Sequence, residues 1–460
     1  GRAGAGKTTT VREIAHTLRA HGLVALLAAA TALAATMYEN GTTLHALGKV
    51  PVDANEAGNY VIDLPPNGTM TPQRRALLAA ADVIVVDEAH SLQRCYVEAF
   101  LFYLHSIGAR CRVLFVGDVT QLIPVVAGVR DPASIMHTSF VESSFFARCE
   151  RLRLTRPMRD AEDAAWAQMV QDLSLNQLRA IPNHRLNSAG ERRRAVRLPV
   201  KTNTFAPDDV RAAITWVFGA DVDEFVQPNG DYNAIVCNTH RRRRHYNNLV
   251  STMRAERRGG APTRRYRAFH KIQVPEGDEV HADEQLPFQE EDLLNATGTT
   301  DDNVPDGDLF FRVGDVALLA CSLDRNAKLV KNARVEITHL ERDTIQVRLH
   351  TGETYPIPRV LFKFKSGGNL FGAYQVVRRQ FPLVLAYAVT AHKSQGQTFA
   401  RCLFDARDPF YAHGQAHVVF SRVRTRNGFA AVVDDTCVTT DGHLIVANIV
   451  YSELLEKARA

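Results

Sequence analysis

The first ten residues, GRAGAGKTTT, constrain the fold more than any other stretch of the chain. Gly1, Gly4, Gly6, Lys7 and Thr8 match GxxxxGK[ST]. In that spacing the glycines let backbone N–H groups wrap phosphate, the lysine reaches the β- and γ-phosphates, and the hydroxyl binds Mg2+. The nucleotide-contacting set is therefore Gly1, Gly4, Ala5, Gly6, Lys7, Thr8 and Thr9. Such a loop joins a buried strand to a helix, and here no strand precedes Gly1. The chain as given is expected to be trimmed, and poorly soluble or inactive when expressed alone.

Three short apolar runs, VALLAAA (24–30), VIVVDE (83–88) and RVLFVGD (112–118), have the length of buried parallel strands. Helix-like stretches, TTTVREIAHTLRAHG after the loop and TPQRRALLAAAD before the second run, alternate with them. Residues 1–160 are therefore expected to form a doubly wound α/β lobe with a small insertion at 46–70. Asp87 and Glu88 end the second run, which puts two carboxylates at a strand's carboxyl end beside the phosphate loop. Asp87 is expected to hold Mg2+ through water, and Glu88 to polarise the attacking water.

At 460 residues the chain requires more than one domain. A loop-rich connector (161–230) leads to a second α/β series at DYNAIVCN (231–238) and an acidic segment (277–308). Short alternating strands with Gly turns at 311–366 suggest an inserted β-barrel. The α/β pattern resumes at FPLVLAYAVTAHKSQGQT and continues to residue 460 through AHVVFSRVRT and FAAVV. No apolar run approaches a membrane span, and no signal or transit peptide is evident. The seven cysteines are scattered without a CxxC pair, as buried thiols of a reducing compartment are.

The net charge of +5 is unevenly placed, with basic runs at ERRRAVR (191–197), HRRRRH (240–245) and RRYR (264–267). Each is either a phosphate-binding patch or a solvated face. Gln121, just beyond the third apolar run, is placed to sense a γ-phosphate. Arg156 and Arg159 at the end of the first lobe and Arg422 in the second are placed to close a cleft around one nucleotide.

Together GRAGAGKT, ATALAA with GTTLHAL, VVDEAH, GDVTQLIPV, LTRPMRD, AVTAHKSQGQT and GQAHVVFSRVR resemble the ordered motifs of superfamily 1B Pif-type DNA helicases. RRQFPLVLAYAVTAHKSQGQTF and DPFYAHGQAHVVFSRV are closest to the helicase domains of Helitron-like transposons and related viral proteins. The resemblance implies two RecA-like P-loop NTPase lobes, with a small SH3-like β-barrel inserted in the second. It implies ATP-dependent 5′-to-3′ translocation on single-stranded DNA and unwinding of forked DNA by a monomeric motor that uses ATP and Mg2+. It implies an intracellular protein, nuclear in a eukaryote, and leaves room for a Rep or nuclease domain in the full-length protein.

The resemblance also implies residue roles. Lys7, Glu88, Gln121, Arg159 and Arg422 would be catalytic or sensing, with Arg156 as a stand-in for Arg159. Thr31, Thr43 and His45 would contact DNA from the first lobe, and His392, Ser394, Gln395 and Thr398 from the second. Two departures stand out: Lys331 and Ala333 flank Asn332 where the family commonly has Cys or Val and Gly, and a short signature of cellular Pif-type enzymes is missing. A RecD-like or relaxase-associated helicase remains an alternative. So does a nucleotide-binding scaffold that does not hydrolyse.

Overall fold

The computed structural model describes residues 4–49, 70–124, 131–154, 162–187, 192–225, 231–257, 259–260, 262–273, 289–296, 304–365 and 375–459. Most of the expected 46–70 insertion and of the acidic segment lies outside these residues. The described chain forms two units, one of 1–219, 224–243 and 389–460, the other of 220–223 and 244–388.

The first unit begins with helix α1 (Lys7–Ala20). Gly6 caps it with φ 79°, in the left-handed region that costs a side-chain-bearing residue free energy. α1 lays Val11 and Ala15 on Leu27, Tyr38 and Val85. The sheet beside it has the order β2-β1-β3-β4, with β1 (Ala25–Ala29), β2 (Thr42–Thr43), β3 (Val83–Asp87) and β4 (Arg112–Phe115) all parallel. β1, β3 and β4 are the three apolar runs, and the register aligns Ala29 with both Thr43 and Asp87, so polar residues gather at one end of the sheet. Ile84, Val85 and Val86 are fully buried, each contributing about 1.5–3 kcal/mol. Helix Arg94–Ser106, which the sequence pattern did not single out, covers this sheet with Val97, Phe100 and Leu104.

A second sheet in the same unit has the order Ala388–Thr390, Tyr232–Cys237, Phe399–Asp405, Phe429–Val432, Asn203–Phe205, the last four paired in parallel. It thus begins inside the expected connector. Asn203–Phe205 is a polar edge strand with no apolar run to reveal it, and helix Val210–Phe218 buries Ala213, Ile214, Val217 and Phe218 behind it. The connector also supplies helix Ala164–Ser174 and strand Arg193–Arg197, the latter antiparallel to Ile445–Ile449.

The second unit is antiparallel. Its five-stranded sheet runs Thr354–Pro358, Thr344–Leu349, Arg334–Leu340, Val316–Leu319, Leu383–Leu385. The stretch expected to form one barrel is divided: Asp308–Phe311 pairs instead with Arg264–Arg267, and Val360–Lys365 joins Gln375–Gln380 and Phe269–Gln273 in a three-stranded sheet. The resumption expected from 381 is also split, since Leu383–Leu385 closes the antiparallel sheet before the chain returns to the parallel one.

The basic runs are largely consumed by structure. Arg242 and Arg407 flank the fully buried Asp405, Arg407 bidentately at 2.8 and 2.6 Å. Arg197 pairs with Asp441, and Arg265 with Asp308. All seven cysteines are free thiols. Among the described residues no helix is long and apolar enough to cross a membrane.

Candidate nucleotide site and its link to the second sheet

The carboxyl end of the first sheet collects the expected nucleotide residues. Asp87 ends β3 with its carboxylate buried. Its Oδ2 accepts from the Tyr38 hydroxyl at 2.5 Å, and its Oδ1 from the Glu88 backbone N–H at 2.9 Å. Burial pushes the Asp87 carboxyl above its ordinary value, while the Tyr38 bond and the Lys7 charge oppose the shift. The Tyr38 phenol is itself driven far up by burial and by Asp87, and it also bonds the Thr8 hydroxyl. Thr8, Tyr38 and Asp87 therefore form one cluster, which sequence reading had seen without its tyrosine.

Glu88 follows in the left-handed region, φ 54°, an arrangement an ordinary residue adopts at a cost of about 1–3 kcal/mol. Its Oε2 lies 3.5 Å from Nε2 of the buried His90. His90 Nδ1 accepts from the Asp118 backbone N–H at 3.2 Å, which leaves the proton of the neutral ring on Nε2. Gln395 Nε2 lies 3.0 Å from His90 Nε2. Burial holds the His90 imidazole below its usual range, consistent with a neutral ring.

Gln121 is buried beside Asp118, donating from Nε2 to Oδ2 at 3.1 Å. Thr120 Oγ1 donates to Asp118 Oδ1 at 2.6 Å and lies 2.9 Å from His417 Nδ1, whose N–H also faces the Thr120 carbonyl at 3.1 Å. Burial alone would raise the Asp118 carboxyl. Lys7, His417 and the bonds from Thr120 and Gln121 outweigh it and hold the group well below the usual carboxylate range. His413 Nε2 donates to Val119 O at 3.0 Å while its Nδ1 accepts from Tyr451 N–H at 2.8 Å. Gly414, φ 69°, lies directly against the Thr120–Gln121 backbone.

The expected DNA-contact residues divide by burial. Thr31 and Thr43 each cap a short helix, accepting from Ala34 and Ala46 N–H at 3.1 Å. His45 is half-buried edge-on to Tyr96, and burial lowers its pKa. His392 stacks on the exposed Tyr411, ring centroids 5.9 Å apart. Ser394 is fully buried and donates to Ala391 O at 2.7 Å, so its side chain shapes the turn and is not presented at the surface. Thr398 is half-buried. Arg422 is buried too: its Nη1 reaches Ser394 O at 3.3 Å and Gln397 O at 2.8 Å, and its Nε reaches Val418 O at 2.7 Å. Its guanidinium thus braces the 394–397 turn. Arg156, Arg159 and Gly1 lie outside the described residues. Among the described residues there is no cluster of three or more His, Cys, Asp or Glu able to hold a metal by itself. The donor set of Thr8 hydroxyl and Asp87 carboxylate fits Mg2+, which takes few protein ligands beside phosphate oxygens and water.

Residues 1–189 match the family model of the PIF1-like helicases. The ATP-dependent DNA helicase Pif1 of Psychrobacter sp. (strain PRwf-1) is 26% identical over 456 residues, 93% of this chain and 64% of that protein. The human ATP-dependent DNA helicase PIF1 is 34% identical over 124 residues, 26% of this chain and 18% of that protein. The chain therefore spans about two thirds or less of the length of these relatives. The crystal structure of Bacteroides Pif1 bound to single-stranded DNA superposes with a TM-score of 0.63 at 20% identity, covering 100% of this chain and 92% of that one. Pif1 helicase from Candida albicans gives 0.59 at 18% identity, covering 100% and 94%. From the phosphate loop through the strand-end carboxylates to residue 189 the chain matches the PIF1-like helicase family model, and its α/β fold is shared with the Pif1 helicase structures along its whole length.

Proposed function

We propose that this chain is the motor of an ATP-dependent DNA helicase that moves 5′-to-3′ on single-stranded DNA and opens forked duplex. The observation that carries the reading is the convergence at one sheet end of Lys7, Thr8, Asp87, Glu88 and Gln121, bonded through His90 to Gln395 of the other parallel sheet. A site that only stored nucleotide would have no use for that second connection.

In this reading the two parallel sheets belong to RecA-like lobes, and the five-stranded antiparallel sheet of the second unit is the inserted SH3-like barrel. Gly4, Ala5, Gly6, Lys7, Thr8 and Thr9 cradle the phosphates of ATP. Thr8 and Asp87 hold Mg2+, which when bound neutralises phosphate charge. Glu88 orients the attacking water and takes its proton, its carboxylate 3.5 Å from His90 Nε2. Gln121 reads the γ-phosphate, and Arg159 and Arg422 complete the sensing set once the lobes close. Thr31, Thr43, His45, His392, Gln395 and Thr398 line the strand path, with Ser394 holding the turn in shape. The motor works as a monomer on single-stranded and forked DNA inside the cell.

The test is ATP hydrolysis with and without single-stranded DNA. Stimulation is expected, abolished by Lys7→Ala through lost nucleotide binding, and by Glu88→Gln with binding retained; loss of the general base costs about 10²–10⁴-fold. Hydrolysis indifferent to DNA would exclude a translocating motor.

A further inference from the structure

The three-stranded sheet of the second unit has one buried and one open face. Register and alternation sort its residues. Arg378 with Phe362, and Ile272 with Val376 and Phe364, point inward, and Arg378 is fully buried, bonded to the carbonyls of Leu293, Ala296 and Pro305. Two of the outward rows are Phe269–Arg379–Leu361 and Lys271–Val377–Lys363. Phe269 is 63% exposed and Leu361 66%, which places both among the most exposed large apolar side chains described. Lys271, Lys363 and Arg379 are exposed as well. Unlike the basic runs, these three cations make no ion pair with any described residue, and no carboxylate stands in either row. Arg359 lies over the Phe269 ring at 5.3 Å, backing it with a guanidinium.

Cations in one row stand about 7 Å along the strands from the cation of the next, and neighbouring strands are about 4.8 Å apart. An exposed aromatic ring backed by arginine, set on an antiparallel sheet among cations that make no ion pair with any described residue, is the arrangement that stacks a base while neutralising phosphates on either side. Charge complementarity selects a polyanion, and the ring selects one that carries planar bases. We propose that this sheet face is a second binding site for single-stranded nucleic acid, contacted by Phe269, Leu361, Lys271, Lys363 and Arg379 and sharing no residue with the motor motifs. The proposal rests on the helicase reading and adds a site to it.

The experiment uses the full chain and oligo(dT) of increasing length, measured from 50 to 200 mM salt. Each phosphate contact on a single strand contributes about 0.7 to the slope of log K against log salt, so Lys271→Gln/Lys363→Gln/Arg379→Gln should lower it by about 2. Over that salt range the parent then loses about 20-fold more affinity than the variant. Phe269→Trp adds a local reporter whose fluorescence long oligo(dT) should quench. An unchanged slope together with an unquenched tryptophan, in a parent that binds oligo(dT), overturns the sheet-face site alone. A parent that binds no oligo(dT) overturns the helicase reading along with it. Displacement of oligo(dT) from the tryptophan variant by polyglutamate at equal charge concentration would assign the face to acidic polypeptide and likewise overturn the proposal.

Discussion

Gly414→Ala tests how closely the two parallel sheets are joined at the nucleotide site. A Cβ built on Gly414 meets Gln121 C and Thr120 O at 2.6 Å and Gln121 O at 2.7 Å. All three are backbone atoms that cannot swing aside. Non-bonded heavy atoms are comfortable near about 3.5 Å, so the start of helix Gln415–Phe420 must retreat by about 0.8 Å from the 118–121 loop. Two histidine links cross the same gap, His413 to Val119 O at 3.0 Å and His417 to Thr120 Oγ1 at 2.9 Å and Thr120 O at 3.1 Å. The retreat stretches both to about 3.7 Å or more, beyond useful length. Their loss costs about 0.5–1.5 kcal/mol each, and the left-handed backbone adds about 1 kcal/mol, for a total of about 2–4 kcal/mol. Gly442→Ala is the matched control, because φ is 82° there and nothing stands within 4 Å of the added carbon. Only the backbone strain of about 1 kcal/mol applies to it. Urea unfolding of both variants should separate them by about 1–3 kcal/mol, and DNA-stimulated hydrolysis should fall only in Gly414→Ala. Equal destabilisation of the two would refute the close approach and the coupling argued from it.

Tyr38→Phe removes the hydroxyl donor from a buried carboxylate and should cost about 1.5–3 kcal/mol in a denaturant titration. Asp405→Ala leaves Arg242 and Arg407 without their buried partner and should cost about 3–5 kcal/mol, visible as a lowered melting temperature. Burial lowers the His413 pKa to about 4, below the ordinary 6.5. The unfolded chain therefore takes up the proton first as pH falls, and stability present above about 6.5 is lost towards 4. That window contributes about 3 kcal/mol, and the pH dependence of the unfolding midpoint should flatten in His413→Gln.

The first sheet was readable because each of its main strands is an apolar run that ends in a small or acidic residue, and because the phosphate loop fixes where the first helix starts. What escaped was whatever depends on partners distant in sequence. Asn203–Phe205 carries too little apolar character to announce a strand, and its place comes from pairing with Phe429–Val432. The run from 381 to 398 reads as continuous, but Leu383–Leu385 pairs with Val316–Leu319 while Ala388–Thr390 does not. Asp87, Glu88 and Gln121 were legible as strand-end polar residues. Tyr38, His90, His413 and His417 were not, because a histidine in a sequence carries no mark of burial or of the hydrogen bonds that fix its tautomer. The arginine runs were ambiguous for a related reason: whether Arg242 faces solvent or Asp405 is decided by a carboxylate more than 160 positions away.

The long segment of the second unit, Arg244–Ala388, begins and ends beside one side chain. Asn247 Nδ2 donates to Ala388 O at 3.1 Å, and Ala388 N–H donates to Asn247 Oδ1 at 2.8 Å, so a single amide clasps the returning chain where it departed. For the parallel sheet, whose strands Tyr232–Cys237 and Phe399–Asp405 must pair across the whole intervening unit, this sets an order of assembly. If Arg244–Ala388 folds first, the clasp shortens the loop that remains to be closed from well over a hundred residues to roughly twenty, saving about 2 kcal/mol of closure entropy. The inserted unit then acts during folding as an intramolecular template that presents two halves of a sheet to each other. The same closeness of its ends marks it as a module that could be exchanged for a short turn, or for another domain, without rerouting the motor's backbone.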